Sequence, residues 1–107
     1  MGRLILIADS DEKLCRALED VLVGDGYFVK TAPNAKAVVR ALRHPAPPSL
    51  ALISLELEQL AREELPSLTT PFLTLAKPID YFGVLELVRA RCPIRPPSGL
   101  RSRSTLR

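Results

Sequence analysis

The stretch Leu50-Ala51-Leu52-Ile53-Ser54-Leu55 is an unbroken apolar run with one small polar residue near its end. Its length and its leucine and isoleucine content are typical of a strand that is buried on both faces of a parallel sheet. A second run of this kind, Leu4-Ile5-Leu6-Ile7-Ala8, leads into Asp9-Ser10-Asp11. The carboxyl ends of parallel strands meet at one edge, where ligands bind in open α/β sheets. Asp9 and Ser54 are therefore expected side by side.

The remainder of the chain alternates β-rich stretches with amphipathic ones. Strands are predicted at residues 3–8, 27–32, 50–55 and 72–76, and helices at 11–23, 34–44, 56–65 and 79–91. Strict alternation of strand and helix favours a three-layer α/β/α domain with a parallel sheet and right-handed crossovers. The predicted strand order is 2-1-3-4. The first and last helices are expected on one face, and the two middle helices on the other.

The bulk properties describe one ordinary domain. The chain has 107 residues, of which 47% are hydrophobic and 25% charged, values typical of a single globular domain. Neither a membrane-length apolar stretch nor a signal-peptide pattern is present, which predicts a cytoplasmic protein without membrane association. The domain is expected to span residues 1–93. Residues 94–107, rich in proline, serine, glycine and arginine, are predicted to form a disordered basic tail.

The positive net charge belongs to this tail. Residues 1–94 contain 11 lysines and arginines against 12 acids, whereas residues 95–107 contain four arginines and no acid. A basic domain face for nucleic acid is not indicated, and four arginines would support only weak, salt-sensitive contact. The two cysteines, Cys15 and Cys92, belong to no CxxC or His/Cys cluster. Neither a zinc site nor another cofactor is therefore predicted.

Four segments resemble, in order, the response-regulator receiver (CheY-like) domain of two-component systems. The first is residues 4–12. The second consists of Gly26-Tyr27-Phe28-Val29, Thr31-Ala32 and the helix that begins at Asn34. The third is residues 50–55, and the fourth is the turn Ala76-Lys77-Pro78-Ile79-Asp80. The resemblance covers about residues 3–91. It implies a flavodoxin-like fold and a role in phosphorelay signal transduction.

The resemblance also implies a phosphorylation pocket formed by Asp9, Ser10, Ser54, Thr74 and Lys77. This pocket is degenerate. The family holds magnesium with an acidic pair, of which Asp9 is retained and Ser10 replaces the other member. The family's phosphate-accepting aspartate aligns with Ser54. Because magnesium requires several hard oxygen ligands and an unactivated serine is a poor nucleophile, neither metal binding nor enzymatic phosphoryl chemistry is expected.

Two details of the pocket are open to alternative interpretations. Asp11 is either a substitute metal ligand or the cap of the first helix, and capping is favoured. Thr74 is either the family's switch hydroxyl or an ordinary strand residue. The Lys77-Pro78 bond is predicted to be cis, as in the resembled family. Lys77 is then expected to pair with Asp9.

The chain is also shorter than the family it resembles, by roughly one helix and one strand before Lys77. The strand at 72–76 should therefore become a sheet edge, which can pair with another chain. On the last helix Tyr81, Phe82 and Leu87 are predicted to point partly outward, as a surface for a homodimer or a protein partner through residues 72–91. The alternative is that this helix slides over the gap and buries them.

The leading hypothesis is a non-phosphorylatable pseudo-receiver that acts by protein–protein interaction. The alternative is a receiver that is still phosphorylated through a substitute residue. A nucleotide-binding α/β domain is disfavoured, because no glycine-rich loop follows the first strand.

Overall fold

The computed structural model describes residues 3–67 and 69–94. Its strands are β1 (Leu4–Ala8), β2 (Phe28–Ala32), β3 (Leu50–Ser54) and β4 (Phe72–Leu75). Its helices are α1 (Glu12–Gly24), α2 (Ala35–Leu42), α3 (Leu55–Leu60) and α4 (Tyr81–Arg91). Strand and helix alternate throughout, as the sequence pattern predicts.

The four strands form one parallel sheet in the order β2-β1-β3-β4, which confirms the predicted topology. The two apolar runs are the central strands, and every residue of β3 is buried. Ala8 at the end of β1 pairs with Ile53 near the end of β3. Asp9, directly after β1, and Ser54, the last residue of β3, consequently lie at neighbouring strand ends.

The sheet separates two apolar clusters, as expected from the two-residue period of strand side chains. The cluster on the α1 and α4 side contains Ile5, Ile7, Leu18, Leu22, Leu50, Leu52, Leu75, Leu85 and Val88. The cluster on the α2 and α3 side contains Leu6, Ala8, Val38, Leu42, Ala51, Ile53, Leu57 and Leu65. The predicted distribution of helices between the faces is confirmed.

Short polar side chains set where the helices begin. The Asp11 carboxylate accepts hydrogen bonds from the backbone N–H groups of Lys13 (3.1 Å) and Leu14 (3.2 Å). Asn34 and Asp80 cap α2 and α4 in the same manner. Each cap satisfies an N–H that the first helical turn leaves without a partner. Asp11 is thus a helix cap, as favoured from the sequence.

The predicted helix at 56–65 is wrong in its second half. The α-helix ends at Leu60, and only a 3₁₀ turn at Leu65–Ser67 follows. The α-helix ends before Pro66 is reached, and Leu65, the residue that precedes this proline, belongs to the 3₁₀ turn. Between α3 and β4 the described part of the chain contains no further strand.

The C-terminal end of α4 contacts the segment between α1 and β2. The Tyr27 hydroxyl donates to the Cys92 carbonyl at 2.8 Å, and burial raises the pKa of this phenol. Arg89 makes a two-point ion pair with Asp25, with its shorter contact at 2.6 Å. The predicted tail 94–107 lies, apart from Ile94, outside the described residues. No helix within the described ranges is long and apolar enough to cross a membrane.

Candidate functional site: a degenerate pocket at the carboxyl edge

Asp9 follows β1 and is the only buried carboxylate among the described residues, with 1% exposure. Its Oδ1 accepts hydrogen bonds from the Asp11 backbone N–H (2.9 Å) and from Lys77 Nζ (3.2 Å). Its Oδ2 lies 3.0 Å from the same ammonium, but outside hydrogen-bond geometry. Beneath it, the buried thiol of Cys15 donates to the Asp9 carbonyl at 3.4 Å. Burial raises the pKa of this thiol, which favours its uncharged form.

Lys77 reaches Asp9 from the turn after β4. The Lys77-Pro78 bond is cis, and both this geometry and the pairing with Asp9 confirm the sequence-based predictions. The hydrogen bond to Asp9 raises the pKa of Lys77, although about half of the lysine side chain remains exposed. The buried carboxylate therefore has an intramolecular counter-ion, which offsets much of its desolvation cost.

Ser54 ends β3 with 3% exposure. Its hydroxyl oxygen accepts a hydrogen bond from the Leu57 backbone N–H at 3.3 Å and caps α3. Sequence reasoning assigned Ser54 to the pocket alone and missed this structural role. The sequence did contain a signal for this cap. Serine is favoured as the residue before a helix, and an acid such as Glu56 is favoured in the first turn.

The five predicted pocket residues do not line one cavity. Ser54, Thr74 and Lys77 line an open groove of about 590 Å³ beside α3. Asp9 and Ser10 line a second cavity, of about 320 Å³. The Lys77–Asp9 ion pair links the two. The Thr74 hydroxyl donates to the Glu58 carboxylate on α3.

The donor set does not fit magnesium, the ion that the resembled family uses. Among the described residues, no three histidine, cysteine or acidic side chains are grouped as metal ligands would be. Asp9 faces an ammonium, and the carboxylate of Asp11 is engaged by α1 backbone N–H groups. An ammonium at 3.0 Å from a carboxylate occupies the electrostatic role that a divalent cation would take.

The predicted partner surface is exposed in part. Phe82 and Leu87 have 73% and 50% exposure, whereas Tyr81 is half-buried and packs against the α1 and α4 cluster. The expectation that Tyr81 belongs to an outward surface is therefore weakened. The described residues include seven exposed large hydrophobic side chains, and five lie on α3, β4 and α4. These five define the β4 flank: Leu55, Leu60, Phe72, Phe82 and Leu87.

Comparison with known proteins relates this architecture to solved receiver structures. No family model and no curated protein matches the chain. Chemotaxis response regulator CheY4 of Vibrio cholerae matches with a TM-score of 0.66 and 16% identity, over 84% of this chain and 98% of that chain. The HemR receiver domain of Leptospira biflexa matches with a TM-score of 0.66 and 21% identity, over 90% and 98%.

A CheY-like receiver domain protein from Methanospirillum hungatei JF-1 matches with a TM-score of 0.61 and 18% identity, over 84% and 93%. Similarity at this level of identity concerns the fold. The chain has a CheY-like, flavodoxin-like receiver fold with a shortened, four-stranded sheet.

Proposed function

We propose that this chain is a pseudo-receiver, a signalling module of a two-component or related pathway that is not phosphorylated and has no enzymatic activity. It acts in the cytoplasm by binding another protein. The observation that carries this proposal is Ser54, which stands where the resembled family has its phosphate-accepting aspartate. Its hydroxyl is buried and caps a helix.

Phosphoryl transfer to a receiver requires a nucleophilic oxygen and stabilisation of the charge on the transferred group. Among the described residues, the Ser54 oxygen has no general base as a hydrogen-bond partner, and it already accepts from the Leu57 backbone N–H. Asp9, the retained acid, is paired with Lys77 rather than held ready for a cation. These contacts support a pocket that stabilises the fold.

The β4 flank supports the binding part of the proposal. Exposed apolar side chains that lie close together are typical of protein interaction sites. Phe82 and Leu87 on α4 and the neighbouring strand β4 belong to the region 72–91. A protein partner or a second copy of the chain would bind there.

The decisive experiment is incubation of the purified chain with acetyl phosphate and magnesium, followed by intact-mass measurement. A receiver that retains the acidic pair and the acceptor aspartate serves as the positive control. The expected result is no added phosphoryl mass on this chain. Stoichiometric phosphorylation would overturn the proposal and favour a receiver that uses a substitute residue, which peptide mapping would then identify.

A further inference from the structure

One side of β4 has backbone groups that face away from the sheet. The Ala51 N–H donates to the Pro71 carbonyl at 3.0 Å, and Ala51 is paired with Phe72. In a parallel ladder alternate residues bond to the same neighbour, so residues 71, 73 and 75 face β3. Phe72 and Thr74 direct their N–H and C=O groups outward. No strand among the described residues pairs with this edge, which makes it a template for another strand.

The side chains at this edge are apolar on the α4 side of the sheet. Leu73 and Leu75 pack with the α1 and α4 cluster. Together with Gly83, Val84 and Leu87 they line a groove of about 290 Å³. Leu87, at the rim of this groove, is half-exposed. An apolar side chain from an added strand would be buried here.

The other face of the same edge carries negative charge. Thr74 bonds to Glu58, and Glu56 lines the groove of about 590 Å³ beside α3. Neither glutamate has an ion-pair partner in the part of the chain that the structure describes. Lys77 also lines this groove, but its ammonium is held by Asp9. A basic side chain would therefore be favoured on this face.

We propose that β4 binds an extended segment of a partner protein as an added strand in which apolar and basic residues alternate. Successive side chains of a strand point to opposite faces. Such a segment therefore places its apolar residues over the groove of about 290 Å³ on the α4 side and its basic residues beside Glu56 and Glu58. Backbone hydrogen bonds to Phe72 and Thr74 supply the attachment, as in other cases of strand addition. This inference rests on the proposed function and identifies its ligand.

Charge argues against a second copy as the occupant. In such a dimer the two β4 strands would pair antiparallel about a two-fold axis perpendicular to the sheet. The α3 helices of both copies would then lie on the same face of the joined sheet. Beside β4 on this face lie Glu56 and Glu58 of α3, and neither has an ion-pair partner among the described residues. Two such surfaces brought together repel each other.

The probe is a labelled, end-capped hexapeptide of alternating valine and lysine, titrated into the full chain and followed by fluorescence anisotropy. Saturable binding is expected, with affinity at least about tenfold weaker for the valine–glutamate version. Thr74→Pro removes one outward N–H and should weaken binding at least about tenfold. Thr74→Val keeps that N–H and should bind like the wild type.

The opposite edge of the sheet offers a matched control. The Phe28 N–H donates to the Arg3 carbonyl at 2.9 Å, so the backbone groups of residues 28, 30 and 32 point toward β1. The backbone N–H of Thr31 on β2 therefore points outward. Thr31→Pro is the same substitution at an equivalent edge position and should leave peptide binding unchanged. Circular dichroism verifies that both proline variants are folded.

The charge reversal Glu56→Lys/Glu58→Lys should switch the preference to the valine–glutamate peptide, whereas Asp20→Lys on α1 should not. The proposal is wrong if the wild type fails to distinguish the two peptides, if Thr31→Pro weakens binding as much as Thr74→Pro, or if the chain forms a dimer that Thr74→Pro dissociates. Failure of peptide binding in an unphosphorylated chain overturns this inference alone. Gain of phosphoryl mass overturns the proposed function whatever the peptide does.

Discussion

The pocket at the ends of β1 and β3 and the flank of β4 differ in how their polar groups are satisfied. In the pocket, the partners lie within the chain: Asp9 pairs with Lys77, and Ser54 accepts from Leu57. At β4, the backbone groups of Phe72 and Thr74 face outward, and apolar side chains beside them are exposed. This difference is the basis of our proposal that the pocket stabilises the fold and that a partner protein binds at β4.

A gain-of-function variant gives the sharpest test of this contrast. Ser10→Asp/Ser54→Asp restores the acidic pair and an acceptor carboxylate, and aspartate at position 54 still caps α3. We expect phosphoryl mass to appear with acetyl phosphate and magnesium, where the wild type gains none. Ser54→Asp alone should respond less, because the second acid is still absent.

Calorimetric titration with magnesium accompanies this test. The wild type should show no saturable binding at millimolar magnesium, whereas the double variant should bind. Saturable wild-type binding that disappears in Asp9→Ala would contradict our account of the pocket.

Two leucines on α4 test whether the flank is surface or core. Leu85 is buried against the sheet and Leu87 is half-exposed. Leu85→Ala should lower the free energy of unfolding by about 2–5 kcal/mol, and Leu87→Ala by about 0.5 kcal/mol or less, measured by denaturant titration.

Phe82→Ser and Leu87→Ser should weaken partner binding or self-association while the fold survives. If both serine variants unfold the chain, these residues are core.

Asp9 tests the structural role of the pocket. Asp9→Ala leaves the Asp11 N–H and the Lys77 ammonium without this partner, and should lower the free energy of unfolding by about 1–3 kcal/mol. The exposed neighbour Ser10 is the control, since Ser10→Ala should change stability by about 0.5 kcal/mol or less. An Asp9→Ala variant as stable as the wild type would show that the ion pair contributes nothing net.

The smallest expected effects are those of pH on the two ion pairs, Asp25–Arg89 and Asp9–Lys77. Arg89 lowers the pKa of Asp25 below its ordinary 3.8, so this pair stabilises the fold above that pH, and the effect is lost as pH falls through the lowered value. Asp9 raises the pKa of Lys77 above its ordinary 10.5, so that pair stabilises below this pH and is lost as pH rises further. Thermal unfolding across pH should show a weaker acid dependence in Asp25→Asn. If the Asp25→Asn variant lost thermal stability at acid pH as steeply as the wild type, the stabilising role of the Asp25–Arg89 pair would be contradicted.

Local patterns in the sequence determined the architecture. The apolar runs at 4–8 and 50–55, the capping residue Asn34 and the strict alternation of elements predict the observed strands, helices and parallel pairing, because each depends on neighbouring residues in the chain. The strand order is the one implied by the resemblance to the CheY-like fold. That serine stands at positions 10 and 54, where the resembled family has acids, was equally visible, since it is a matter of residue identity. The cis Lys77-Pro78 bond and the Asp9–Lys77 pair followed from the family resemblance.

Only the tertiary structure decided which groups are satisfied and which are exposed. The Ser54 cap depends on where α3 begins, and the early end of that helix was not predicted. Tyr81 is partly buried against the α1 and α4 cluster, a contact that helical spacing alone does not reveal. The β4 flank gathers residues from α3, β4 and α4, separated by many positions in the chain. Their location on this side of the molecule follows from the strand order, in which β4 is an outer strand, and that order is a property of the whole sheet.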